Sequence, residues 1–514
     1  MFSAIRNLTR LFAIGRALAH HDALFPLENA GEGGRLAARA LRLFAKAKHA
    51  ERRPGQRLAG ALEELGPTFI KFGQALSTRP DLVGDEIAAD LSELQDRLPP
   101  FPAAEARAII AAELDRPLDE AFSSFDDVPV AAASIAQVHF AVTSEGEEVA
   151  VKVLRPGVED KFARDIALFY WLAGWAERLF PRYRRLRFVD SVAAFEETVS
   201  LEMDLRFEAA AAAEMSDNFA GDDSFSIPRI DWQRTARRMM TLQRIDGIPI
   251  DEVDALTAAG ISRDDVLEKA ADAFFNMVFR DGFFHADMHP GNLFVGADGR
   301  LIAVDFGIIG RVDTQTRRFL GEMLLGFLNG DFRRVAEVHF EAGFVPADQS
   351  VDKFTQACRS IAEPILGKPV HEISIARLLG QLFQVTETFS MEVQPQLLLL
   401  QKSMLVAEGV GRRLNPQVNM WQLARPLIEQ WMIHNLGPQA RVKQAVGSMV
   451  STLEALPRLV ADAEYTVAQL RSGGLKLHPD SLKAIGGGGR SGGLLTTWAP
   501  WLLVVVLGFL LLRR

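Results

Sequence analysis

The chain has 514 residues, 48% of them hydrophobic, so it is too long for one small core and too apolar for wholesale disorder. Lys and Arg total 57 against 66 Asp and Glu, and the net charge of -9 argues against a general nucleic-acid binder, because neutralising phosphates requires a basic surface. Cys358 is the single cysteine, which excludes an intramolecular disulfide and a cysteine-based zinc cluster, fits a reducing interior, and reads as core filler.

In chain order, the first segment carries Arg6, Arg10 and Arg16 around a short apolar run, the pattern of a basic amphipathic helix rather than a secretory signal. Residues 1–115 are alanine-rich, with Leu58, Leu62, Leu65, Phe69 and Phe72 recurring at threes and fours, and are expected to form a helical extension. Pro99-Pro100-Phe101-Pro102 breaks that period. Residues 116–245 have a different character. Residues 148–154, after the turn-like Ser144-Glu145-Gly146, read as the second arm of a hairpin, and residues 239–242 as a further strand. Residues 246–485 are expected to be mainly helical apart from short strands at 293–295 and 301–304. Within them, Asp313 can cap a helix running through Arg317, Phe319 and Leu320. Residues 396–400 fit a buried core segment better than a lipid-binding face.

The far end is apolar. Residues 494–512 form an uncharged run of 19, about 28 Å as a helix, close to the roughly 30 Å of a bilayer's hydrocarbon core. Trp498, Trp501, Arg513 and Arg514 stand where interfacial anchors belong, and Pro500 lies near the start, where a missing amide hydrogen costs least. The expectation is a transmembrane anchor joined to the body by the glycine-rich linker 486–493.

The chemistry lies between these ends. Lys152 sits in the apolar strand Val149-Ala150-Val151-Lys152, where a lone cation must reach solvent or meet an anion. Downstream, His285-Ala286-Asp287-Met288-His289-Pro290-Gly291-Asn292 is followed by Val304-Asp305-Phe306-Gly307. Such spacing can gather a base and two oxygen ligands for magnesium around one triphosphate. In this reading Asp287 orients or deprotonates the accepting hydroxyl or water, while Asn292 and Asp305 hold the metal. His285 is expected to orient the loop by hydrogen bonding rather than to carry protons. No Ala-Pro-Glu follows the Asp-Phe-Gly stretch, so the usual peptide platform is missing.

These motifs, with Lys71-Phe72-Gly73-Gln74, the run from Ala131 to His139, and Leu201-Glu202-Met203-Asp204 followed by Glu208, give the chain a resemblance to the UbiB family of atypical kinase-like proteins linked to ubiquinone biosynthesis. The resemblance implies an α+β, two-lobed protein-kinase-like fold with an N-terminal helical extension and a C-terminal transmembrane helix. It implies ATP and Mg2+ as cofactors. The nucleotide would be gripped by Val130, Ala131, Ala132, Ala133, Ser134, Ile135, Ala136, Gln137 and Val138, with Lys152 as a catalytic cation and Glu208 as its helical partner. Alanines stand where ordinary kinases carry a glycine-rich loop, and their β-carbons restrict positive φ and close backbone approach, so a stiffer loop is expected.

The resemblance further implies that the helix of Lys71 and Gln74 covers the cleft, with Lys71 paired to Glu202 or Asp204 in a regulatory contact that obstructs a peptide. Gln243 replaces a glutamate expected at the adenine-side hinge. Membrane lipids, ubiquinone precursors and other proteins of that pathway are the expected partners, at the bacterial inner membrane with the catalytic body cytoplasmic. Two other readings use the same residues: a nucleotide-gated scaffold without catalysis, and a small-molecule phosphotransferase of the aminoglycoside or choline kinase type.

Overall fold

In a computed structural model of the chain, the described residues are 2–28, 32–42, 51–77, 83–92, 94, 98–179, 187–365, 385–386, 388–391, 395–417 and 425–432, all within the unit Met1–Ile433. The front of the chain is helical, with α1 (Phe2–His20), α2 (Pro54–Leu65), α3 (Pro67–Ser77), α4 (Asp85–Ser92) and α5 (Ala103–Leu114). The apolar residues at threes and fours gather on one face of their helices. Leu58, Leu62, Phe69 and Ile70 are buried together with Leu91, and Leu65 and Phe72 pack at the edge. Gly66, at φ +97°, takes a left-handed turn between α2 and α3 that a β-carbon would strain.

Strands follow: β1 (Phe122–Phe125), β2 (Ala131–Ala132), β3 (Ala136–Thr143) and β4 (Glu148–Leu154). After them come α6 (Val158–Leu179), α7 (Phe188–Glu202), α8 (Leu205–Asn218), β5 (Phe225–Ser226) and β6 (Met239–Gln243). An antiparallel sheet runs in the order β1-β3-β4-β6, with β2 added to β3. Side chains alternate along a strand, so β4 has two different faces. Val149, Val151 and Val153 enter a cluster with Ile110 and Phe122, whereas Leu154 enters the opposite cluster with Phe162, Ala209 and Met240. Lys152 shares the face of Leu154. Because helices cover that face, its ammonium group cannot simply turn to water.

The remainder carries β7 (Ile248–Pro249), α9 (Arg263–Phe275), β8 (Phe283–His285), β9 (Leu293–Val295), β10 (Leu301–Ala303) and β11 (Ile309–Arg311). Helices α10 (Thr314–Asn329), α11 (Phe332–Glu341), α12 (Val351–Ala362) and α13 (Pro395–Leu414) complete it. A second sheet has the order β5-β10-β9-β7, and β11 pairs with β8 in a separate ribbon. The main core joins Met277, Phe284, Leu293, Leu301 and Phe306 to Leu400, Val410 and Leu414 of α13. Asp313 caps α10, accepting from the backbone amides of Gln315 at 2.8 Å and Thr316 at 2.9 Å. Cys358 is buried beside Phe354, and burial pushes its thiol up to about 12, as expected of core filler.

This is the α+β, kinase-like arrangement of sheets and helices expected from the sequence. Among the described residues no helix is long and apolar enough to cross a membrane. The run 494–512 and the linker 486–493 lie outside the described residues.

Candidate functional site

Lys152 is held between two carboxylates. Its Nζ lies 2.6 Å from Glu208 Oε1 and 3.2 Å from Asp305 Oδ1. The register of β4 against β6 sets Lys152 opposite Met240, and Leu205 and Ala209 bury one side of α8 against the same face, which brings Glu208 to the lysine. Glu208 Oε1 also accepts from the backbone amide of Phe306 at 3.3 Å, so one carboxylate ties the strand cation to the Asp-Phe-Gly segment. Burial alone would lower the pKa of Lys152, but the charges of Asp305 and Glu208 outweigh it and hold that pKa above the ordinary lysine value. For Glu208 the order is reversed: burial, joined by the charge of Asp305, pushes its pKa up against the pull of Lys152. Burial would also raise Asp305, yet Lys152 and then Lys71 override it and keep that carboxyl below its usual range. Asp305 lies deep among protein atoms while 45% of its side-chain surface stays open.

Two short ladders place the other site residues. Leu293 pairs with Ala303 between β9 and β10, and just beyond that pair the amide of Val304 donates to the carbonyl of Asn292 at 2.9 Å. Asn292 and Asp305 are thereby neighbours across a hairpin although thirteen positions apart in sequence. His285 pairs with Ile309 between β8 and β11, and the amide of Ala286 donates to Ile308 at 2.9 Å, which fixes the strand end from which Asp287 emerges. His285 is fully buried, and its Nδ1 accepts from the amide of Asp287 at 3.1 Å. Burial lowers its pKa, so the ring is neutral and orients the loop. Asn292 donates through Nδ2 to the Asp287 carbonyl at 3.1 Å, leaving its amide oxygen as the atom able to ligate. Asp305 has φ +65°, a left-handed conformation uncommon outside glycine, asparagine and aspartate.

The helical extension reaches this cleft. Lys71 Nζ on α3 lies 2.7 Å from Glu202 Oε2 at the end of α7, and its charge acts on Asp305. Phe72 beside it packs on Phe169 at 5.1 Å and Phe195 at 5.8 Å between ring centres, which docks α3 on α6 and α7. A β-carbon at Gly73 would lie 2.7 Å from Leu62 Cδ1, so any side chain there would require the end of Leu62 to shift. Gln74 is half-buried on the same helix. Of the two acids suggested for Lys71, only Glu202 takes the position. Asp204 instead caps α8 through the Arg206 amide at 3.2 Å and pairs with the Arg206 guanidinium at 2.6 Å, because it is the residue at which α8 begins.

The alanine segment divides in the same way. Val130 and Ala131 are exposed, and Ala132, Ala133 and Val138 are half-buried. Ser134, Ile135, Ala136 and Gln137 are buried, and Gln137 spends its side-chain amide on the backbone of Phe101 and on His139. The expectation of a nucleotide grip therefore narrows: the Gln137 side chain is engaged inside the fold. Arg155 donates to the Ala133 carbonyl at 2.9 Å and to Pro99 at 2.9 Å, so the turn is braced from below as well as by its β-carbons. Gln243 closes β6 with its side chain exposed and its amide bonded to the Arg229 carbonyl at 2.8 Å.

One site residue escaped the sequence reading. Lys402 on α13 places Nζ 2.9 Å from Asp287 Oδ1. Its signal was a lone cation two positions after the apolar run ending at Leu400, close to the argument that singled out Lys152.

A family model described as the ABC1 atypical kinase-like domain matches residues 93–339, and another described as the UbiB helical domain matches residues 358–419. The chain is 45% identical to a probable protein kinase UbiB of Marinobacter nauticus, over 82% of this chain and 78% of that one. It is 42% identical to the like-named protein of Shewanella pealeana, over 91% and 86% respectively. Among solved structures it is similar to the complex of Rv3197 with erythromycin from Mycobacterium tuberculosis, with a TM-score of 0.51 and 26% identity over 71% of this chain and 93% of the other. With the kinase-like sheet, the Lys152 and Asp305 cleft and relatives over most of its length, the chain belongs to the UbiB family of atypical kinase-like proteins.

Proposed function

We propose that this protein is a membrane-anchored, ATP-binding phosphotransferase or ATPase that supports ubiquinone synthesis and acts on lipid or small phenolic acceptors rather than on proteins. The observation carrying the proposal is the ammonium group of Lys152 held between Glu208 and Asp305 in a cleft that still leaves nearly half of Asp305 open. A cation so placed is ready to meet phosphate oxygens, with Glu208 keeping it charged and aimed. The donor set suits magnesium, a hard cation that takes oxygen ligands: the Asp305 carboxylate and the Asn292 amide oxygen would hold it. When bound, magnesium supplies neutralisation of the charge on the phosphates. Asp287 then orients the accepting hydroxyl or water and takes its proton.

Against a peptide substrate stand two features, the Lys71–Glu202 pair beside Asp305 and the absence of an Ala-Pro-Glu platform after Asp305-Phe306-Gly307. A short helix cap at Asp313 occupies the place of a long activation segment. A small acceptor in the bilayer would reach the cleft at high effective concentration if residues 494–512 tether the body there.

The test uses purified full-length protein in vesicles containing a phenolic quinone precursor. Phosphate release from Mg-ATP is expected to rise with the precursor and to fall by about 100-fold or more in Asp305→Asn, since removing a charge-stabilising group from such a site costs on that order. Binding of Mg-ATP with no turnover under any lipid condition would instead favour the scaffold reading.

A further inference from the structure

We propose that Lys402, carried by α13 in the region matching the UbiB helical domain, is a positioning residue for Asp287, so that the helical region completes the phosphoryl-transfer site. The inference rests on the phosphoryl-transfer reading above. Lys402 Nζ donates to Asp287 Oδ1 at 2.9 Å, and the two side chains keep 27% and 35% of their surfaces open, so the pair is open to solvent rather than sealed in the core. Among the described residues no other side chain bonds the Asp287 carboxylate. One oxygen is thus fixed by the lysine, and Oδ2 remains to receive a proton from the acceptor.

The lysine is also held in place. Leu400 and Ser403 on either side of it are buried, Ser403 donates to the Leu399 carbonyl at 2.9 Å, and Val410 and Leu414 further along belong to the main core. A helix packed into the main core on both sides of Lys402 presents the lysine at a defined height above Asp287. This differs from an exposed pair on mobile side chains, which contributes little to anything measurable. The backbone of Asp287 is already committed, its amide to His285 and its carbonyl to Asn292. Only the side-chain torsion is left free, and Lys402 supplies that restraint. Aim matters here, because a general base acts only within hydrogen-bond reach of the proton it takes.

The nucleotide is held elsewhere, by Lys152, Glu208 and Asp305, so loss of Lys402 should separate turnover from affinity. Lys402→Met is expected to lower kcat for Mg-ATP hydrolysis by roughly 10-fold or more with the KM for ATP unchanged. Lys402→Arg, which keeps a cationic donor, should recover most of that loss. In an Asp287→Asn background Lys402→Met should add almost nothing, because its effect passes through a group already removed. A kcat unaffected by Lys402→Met, a kcat that rises, or a KM that rises in step with the loss would each overturn the proposal; the second outcome would make Lys402 a brake, the third a nucleotide ligand. Thermal melting of each variant separates these results from unfolding. Failure of the wild-type protein to take up Mg-ATP at all would remove the underlying reading, and is read by calorimetry before any variant is made.

Discussion

Single side chains in this molecule are governed by whether burial or a neighbouring charge prevails. At Lys152 two carboxylates outweigh burial, and the group stays cationic. At three histidines burial prevails. His139 and His339, both outside the cleft, and His285 within it all have pKa values lowered first by loss of solvent. The consequence for stability has a definite sign. Below about pH 6.5 the unfolded chain takes up protons on these rings that the folded chain resists, so stability falls as pH drops through that value and is flat above it. The urea midpoint is therefore expected to be lower at pH 5.5 than at pH 7.5, and His339→Gln should reduce the difference. Equal midpoints in the parent protein at the two pH values would show that the rings are not the groups being titrated.

Among elements, the β8–β11 ribbon has the least tolerance. It is only three residues long on each side, yet it fixes His285 and hence Asp287. Gly310 on β11 pairs with Phe284, and a β-carbon at 310 would lie 2.1 Å from the Phe284 ring. Phe284 is fully buried in the main core and cannot move aside. Gly310→Ala is expected to destabilise the protein by about 1–3 kcal/mol, the usual cost of overpacking a full core. The same change should shift the strand end that carries Asp287, so activity should fall by more than the lost folded fraction explains. Denaturant titration alongside the phosphate-release rate measures both. The helical extension is more tolerant, since a β-carbon at Gly73 would meet only the end of the Leu62 side chain.

For the whole molecule, the proposed function requires the folded body to meet an acceptor dissolved in a membrane. Residues 494–512 lie outside the described residues; if that run is a membrane anchor on the glycine-rich stretch 486–493, attachment and chemistry should be separable. Deleting residues 491–514 is expected to move the protein from the membrane fraction to the supernatant while leaving Mg-ATP affinity unchanged. Loss of both together would mean that the tail is part of the fold. The matched regions 93–339 and 358–419 are joined physically through α13, which contributes Leu400, Val410 and Leu414 to the main core and Lys402 to the cleft.

Much of this was open to a reading of the residues in order. The apolar stretch at 148–154 and the turn residues at 144–146 gave the hairpin, because strand formation there depends on neighbours in sequence. The apolar repeats of residues 58–72 gave the helices of the extension and the face they bury. The motif around Asp287 and the strand ending at Asp305 marked out the kinase-like cleft in which Lys152, Glu208 and Asp305 meet. Three matters were decided only in three dimensions. Glu202 rather than Asp204 meets Lys71, because the start of α8 claims Asp204 as its cap. Gln137 turns inward to Phe101 and His139 rather than toward the nucleotide loop's open side. Lys402 reaches Asp287 from 115 positions away. Short-range patterns follow from local torsions and solvent contrast, which a sequence displays directly, whereas the partner of a given charge depends on which distant helix packs over it.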